Sequence, residues 1–190
     1  MFQDIFTTTI YHKIFDFDLK VLKDFCYNIE KNQKSRLISN RGGFQSLQLD
    51  FNKEPLHEIS KFITNEVNFY CKFLELKPAI QESCWININR FKDFNIAHNH
   101  TPGYISAIFY IQTPEDGGRL IFEDPSRDSK KIDWNEDRVI KHNKHTAQMW
   151  LVTPVENSCC IFPSWINHYV EPNKSKKERI SIAFNFKPIQ

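Results

Sequence analysis

The sequence predicts a mainly β fold with its helices gathered at the N-terminal end, an antiparallel sandwich or barrel backed by helices. Two observations carry this. Apolar residues recur at helical spacing before residue 78, and from Ala79 onward they alternate with period two. Turn-forming stretches such as TPEDGG and PVENS then cut the alternating region into short strands. The 190 residues suffice for one hydrophobic core, and no repeat or linker divides them. A single domain over 1–190 is expected, with helical support over residues 16–78 and a β core over residues 79–187.

Each element has its own reason. Ile5 to Phe15 is rich in β-branched and aromatic residues and reads as a first strand. Asp16 or Asp18 can cap the helix that carries Leu22, Phe25, Cys26 and Ile29. The polar stretch Asn32–Asn40 is a loop, and the glycine pair in SNRGGFQS marks a turn or a close backbone approach. Pro55 opens a long amphipathic helix with Leu56, Ile59, Ile63, Val67, Tyr70 and Leu74 on one stripe. Strands are expected over 80–91, 104–112, 119–123, 147–152, 158–162 and 179–186. In the first of these, Cys84, Ile86 and Ile88 face one way, and Trp85, Asn87 and Asn89 the other. The charged stretch Asp128–His145 reads as a long loop of the kind that forms lids or binding surfaces.

Composition sets the bounds. A formal charge of +2 argues neither for nor against a nucleic-acid partner. Seventeen Phe against five Gly describes a packed globular chain. No apolar run approaches the roughly 20 residues that span a membrane, and MFQDIFTTTI lacks the pattern of a signal peptide. Five cysteines without a zinc-type CxxC read as reduced thiols, which fits a cytoplasmic setting.

The chemistry centres on His98-Asn99-His100. Residues two apart on an extended segment share a face, so both imidazoles can hold one metal ion. His168, after the apolar run SCCIF and the turn PSW, is placed to complete a triangle and leave positions open for ligands. His12, His57, His142 and His145 lack such partners and read as ordinary surface or helix residues. Arg179 opens a strand whose alternation puts it on one face with Ser181, Ala183 and Asn185. An arginine on an inward strand face is costly unless it meets an anion, and its planar fork suits a carboxylate.

With these residues in view, the chain resembles the 2-oxoglutarate/Fe(II)-dependent oxygenase superfamily, in particular a group of oxygenases found in bacteria and marine phages. The matching pieces are SNRGGFQS, CWININRF, HNHTPGYISAIFYIQTPEDGGRLIFEDP, CCIFPSWINHYVEPN and ERISIAFNF, from Ser39 to the C-terminus. The resemblance implies a double-stranded β-helix, a cupin-like jelly-roll. It implies Fe(II), 2-oxoglutarate as co-substrate and O2, with release of succinate and CO2. A phage-encoded copy would work in the host cytoplasm. His98 and His168 match the metal histidines. Arg179, helped by Ser181, matches the residue that binds the far carboxylate of 2-oxoglutarate, and Tyr110 matches a tyrosine beside it. One departure stands out: the usual His-x-Asp or His-x-Glu is here His-x-His. Spacing favours His100 as third ligand, and Asp124 in FEDP is the substitute.

Substrate is weakly encoded. Asn87, Asn89 and Trp150 are pocket candidates, with Trp85, Phe44 and Trp165 behind them. Prolyl-hydroxylase-like patterning favours hydroxylation of a peptidyl or amino-acid C–H bond, or of a small molecule. KSKKER (Lys174–Arg179) leaves nucleic acid open, and an oligomer is also left open. A three-histidine metalloenzyme that does not use 2-oxoglutarate and a non-catalytic jelly-roll binding module are the alternatives.

Overall fold

A computed structural model describes residues 1–190. In chain order the elements are β1 (Tyr11–Ile14), α1 (Leu19–Asn32), β2 (Asn40–Arg41), β3 (Phe44–Gln45), α2 (Leu56–Phe73), β4 (Ala79–Asn89), β5 (Phe94–His98) and β6 (Ile105–Gln112). There follow β7 (Leu120–Glu123), α3 (Arg127–Asp133), β8 (Met149–Val152), β9 (Ser158–Pro163), β10 (His168–Val170) and β11 (Arg179–Pro188). They form a double-stranded β-helix of two antiparallel sheets. The larger runs β1-β9-β6-β11-β4-β3 and the smaller β2-β5-β10-β7-β8.

Helices α1 and α2 cover the outer face of the larger sheet. Asp18 caps α1 by accepting the Lys20 amide at 2.9 Å, and Leu22 and Cys26 on its inner side are buried. In α2 the apolar spacing of Leu56, Ile59, Ile63, Val67 and Tyr70 makes one buried stripe, with Glu58 in the first turn and Lys72 in the last to complement the helix dipole. These side chains meet Cys84, Ile86 and Ile88 of β4 and Ile180, Ile182, Phe184 and Phe186 of β11 in one core. A smaller core lies between the sheets, where Leu120, Phe122 and Val152 meet Cys160 and Phe162. The adjacent Cys159 and Cys160 point into these two cores in turn, as strand alternation requires, and all five cysteines are free and buried. Alternation also leaves the polar side of β4, β6 and β11 facing inward, where it lines a cavity between the sheets. No helix is long and apolar enough to cross a membrane.

Four local outcomes differ from the sequence expectation. The first strand shrinks to Tyr11–Ile14. The strand expected over 80–91 ends at Asn89, and after a turn β5 begins. The three-residue β10 is too short to show alternation, yet it pairs with β5 on one side and β7 on the other. Within the charged stretch, Arg127–Asp133 forms α3, which carries no buried residue. The glycine pair Gly42-Gly43, both at positive φ, turns the chain from β2 in the smaller sheet to β3 in the larger.

Candidate metal centre

His98 ends β5 and lies directly opposite His168 in β10. Cross-strand neighbours on one face are close, and these two rings have centroids 4.5 Å apart. His100 lies two residues past His98, where its amide donates to the Ser164 carbonyl at 2.8 Å. That bond brings its ring to 5.1 Å from His98 and 5.2 Å from His168. One ring nitrogen from each of the three lies within 4.8 Å of the others, a spacing that one metal ion can bridge.

The surroundings set the state of these rings. Nδ1 of His98 donates to the Ile96 carbonyl at 2.7 Å, and Nδ1 of His168 to the Ile166 carbonyl at 3.0 Å. A carbonyl can only accept, so each Nδ1 carries the proton and each Nε2 keeps a lone pair. His100 packs against Trp85, with centroids 5.7 Å apart. His168 is walled by Phe162 and Phe122, at 4.9 and 6.1 Å. Burial lowers all three ring pKa values, His100 to about 4 and His168 to about 3. The triad is therefore neutral, as imidazole ligands must be.

The cavity beside it holds about 330 Å³. Across its larger-sheet wall, Arg179 stands opposite Asn89, and Ser181 stands opposite both Asn87 and Tyr110. Arg179 is 2 % exposed, and burial depresses its guanidinium to about 10. Nη1 donates to the carbonyls of Gly117, Gly118 and Glu171, whereas the buried Nη2 has no protein acceptor. A buried, half-satisfied guanidinium is expensive unless an anion completes it. Tyr110 is buried near it, and burial raises its hydroxyl pKa. Gly118 makes the cradle possible: at φ +87°, its Cβ would meet Arg179 Nη1 at 2.7 Å and press on the Glu171 carbonyl.

Other residues singled out from sequence fall elsewhere. Asp124 does not join the triad; its carboxylate accepts from Lys130 Nζ at 2.8 Å and from the Ser126 amide at 2.6 Å. Burial raises the Asp124 carboxyl, but these partners more than offset it and leave the pKa below the ordinary value. Asp124 lines a neighbouring surface cleft together with Trp165. Trp150 does not line the cavity: β8 is an edge strand, and the side chain sits half-exposed on it. Phe44 belongs to the helix-side core. Asn87 and Asn89 do line the cavity, though Nδ2 of Asn89 is directed to Asn95 at 3.4 Å. Sequence reasoning missed the role of Gly117-Gly118 in holding Arg179, and missed Asn173. The Asn173 side chain donates to the carbonyls of Asn89 and Lys177 at 2.9 and 2.8 Å and ties the loop before Arg179 to β4.

Residues 83–185 match the sequence profile of a family described as "Putative 2OG-Fe(II) oxygenase". The chain belongs to this family. It is a 2-oxoglutarate-dependent iron oxygenase, with Fe(II), 2-oxoglutarate and O2 as cofactor and co-substrates. Searching curated proteins by sequence finds no match. Solved structures share the fold at low identity. A Pseudomonas putida prolyl-4-hydroxylase superposes with a TM-score of 0.65 at 16 % identity, covering 97 % of this chain and 95 % of that one. A prolyl hydroxylase from Trichoplax adhaerens, in complex with a hypoxia inducible factor peptide fragment, gives 0.62 at 14 %, covering 95 % and 83 %. HygX from Streptomyces hygroscopicus, with nickel and 2-oxoglutarate bound, gives 0.62 at 9 %, covering 96 % and 84 %.

Proposed function

We propose that this oxygenase hydroxylates a C–H bond of a peptidyl or amino-acid substrate. In this reading His98, His100 and His168 hold the iron, and Arg179, with Ser181 and Tyr110 beside it, holds the far carboxylate of 2-oxoglutarate. The observation that carries the reading is the unpartnered Nη2 of buried Arg179, in the same cavity as three neutral imidazoles. Bound together, iron, 2-oxoglutarate and O2 supply an oxidant by decarboxylation to succinate and CO2.

The chain's own residues do the rest. The Ile96 and Ile166 carbonyls fix the tautomers of two histidines and leave each Nε2 with the lone pair that a metal would take. Gly117, Gly118 and Glu171 occupy Nη1 of Arg179 and leave Nη2 to meet a carboxylate oxygen. Ser181 and Tyr110, paired across β11 and β6, line the same cavity and offer two hydroxyls to that carboxylate. Such an oxidation needs no side-chain general base, and the cavity lining includes no Asp or Glu. A peptide or amino-acid substrate is supported by the prolyl hydroxylases among the structures of the same fold, one of them bound to a peptide.

The test is made with protein prepared without oxygen. It is expected to bind one Fe(II) per chain and to develop a visible charge-transfer band when 2-oxoglutarate is added. On exposure to O2 it should form succinate slowly even without substrate. Well-folded protein that shows neither iron binding nor succinate would overturn the reading.

A further inference from the structure

The proposed site uses only part of the cavity lining, and further polar residues lie in the remainder. Register places Gln45 of β3 opposite Asn87 of β4, Asn87 opposite Ser181 of β11, and Ser181 opposite Tyr110 of β6. Residues opposite one another point to the same face of a sheet, so this is one polar row crossing four strands. Outside β3 the row gains Arg36, whose amide donates to the Gln45 carbonyl at 2.8 Å. Tyr110 and Ser181 are assigned to 2-oxoglutarate in the proposed reading, whereas Arg36, Gln45 and Asn87 are not used by it.

Charge balance points the same way. Two of the 26 residues that line the cavity are arginines, Arg36 and Arg179, and none is a carboxylate. In the proposed reading 2-oxoglutarate has no carboxylate to spare, since one end chelates the metal and the other meets Arg179. Arg36 is half-buried, and no Asp or Glu lies within ion-pair distance of it. Its neighbour Gln45 is 4 % exposed, and the buried Oε1 has no donor. The backbone of Gln45 is fully engaged, its N–H by Ser35 Oγ at 3.0 Å and its carbonyl by Arg36. The side-chain oxygen is therefore an acceptor that a ligand's N–H can satisfy.

We infer that Arg36, Gln45 and Asn87 form a substrate site for a carboxylate with an adjacent N–H donor. The inference rests on the proposed reading of the iron and 2-oxoglutarate positions. Arg36 takes the carboxylate, and the amide oxygens of Gln45 and Asn87 take the N–H. That chemistry belongs to a free α-amino acid and equally to the C-terminal residue of a peptide. A substrate whose only charge is positive finds no counterion in this cavity.

The experiment uses the full chain loaded with Ni(II), which does not turn over, and saturated with 2-oxoglutarate. The probes are the twenty common α-amino acids, their N-acetyl derivatives, and the carboxamide of each. Binding is read by thermal shift and by calorimetric titration. At least one carboxylate is expected to bind, and its carboxamide to bind about tenfold or more weakly, the scale of one charged hydrogen-bond pair. Arg36→Gln should weaken the acid by a similar factor and leave the carboxamide unchanged. Tighter binding of the free form identifies a free amino acid as the source, and tighter binding of the N-acetyl form identifies a chain end; both support the site. With 2-oxoglutarate bound normally, the inference is overturned if no carboxylate binds or if acid and carboxamide bind alike in the wild type. A matching loss of 2-oxoglutarate affinity in R36Q also overturns it, since Arg36 would then serve the co-substrate. Failure of the wild type to bind 2-oxoglutarate is a separate result that removes the proposed function and this inference with it.

Discussion

Arg179 shows how much one side chain can carry. Its fork is split between backbone carbonyls on Nη1 and an open position on Nη2. Lysine can supply charge there but not two oriented donors. Arg179→Lys is expected to weaken 2-oxoglutarate binding by about 1.5–3 kcal/mol with metal affinity unchanged, read by titrating each ligand. An unaltered 2-oxoglutarate affinity would mean that Arg179 serves another group. His100 poses the complementary question, because it stands where a carboxylate is usual. His100→Ala should lose iron at concentrations that saturate the wild type, since it leaves two rings to hold the ion. His100→Asp should retain iron and some succinate formation. Asp124→Ala should bind iron like the wild type, because that carboxylate is already committed to Lys130 and Ser126. Iron lost from the Asp124 variant but kept by His100→Ala would reverse the assignment. The residue scale was partly legible in the sequence: the His-x-His spacing and an inward arginine can be read from alternation, and His168 from its place after an apolar strand and the turn PSW. Asn173 and the glycine cradle could not, because their role lies in backbone contacts that no side-chain pattern announces.

At the scale of elements, long patterned segments were legible and short ones were not. α2 shows five helical-spaced apolar residues, and β11 shows four alternating ones that all reach the core. By contrast β10 has three residues and is defined only by its neighbours β5 and β7. Its pairing nevertheless brings His98 and His168 together, so the centre depends on a strand with almost no signal of its own. What steadies this part of the fold is the connection between β10 and β11. The Asn173 amide donates to the Asp93 carbonyl at 3.0 Å, and its carbonyl accepts the Lys92 amide at 2.7 Å. Its side chain spans Asn89 and Lys177. Asn173→Ala leaves the buried Asn89 carbonyl and the part-buried Lys177 carbonyl without that donor and is expected to cost about 1–3 kcal/mol in denaturant unfolding. Because the loop leads directly into Arg179, 2-oxoglutarate affinity should fall as well, while metal affinity, set by β5 and β10, should fall less. Equal loss of both ligands would mean that the loop supports the whole sandwich and not the arginine end.

For the molecule as a whole, the neutral triad makes a statement about stability. Burial lowers the pKa of His98, of His100 to about 4 and of His168 to about 3. In the unfolded chain these rings titrate near ~6.5. Between the folded and unfolded values the unfolded state binds more protons, so the unfolding free energy rises with pH through that window. Metal-free protein should therefore be at full strength above about pH 6.5 and weaken steadily as pH falls toward about 4. Carboxylates with lowered pKa values, such as Asp124 and Glu171, contribute in the same direction, but only near and below their own unfolded values of about 4. The interval from about pH 6.5 to 5 consequently belongs to histidine. Urea unfolding of metal-free protein across that interval should show the decline, and His168→Gln should flatten it. A loaded Ni(II) ion adds a further test. If the folded rings are already neutral, metal displaces no protons, and its stabilisation stays constant from pH 6.5 to 5. The loaded and metal-free curves should then run parallel. Curves that converge as pH falls would show protons competing at the folded site, and the burial of the triad would not have the effect assigned to it.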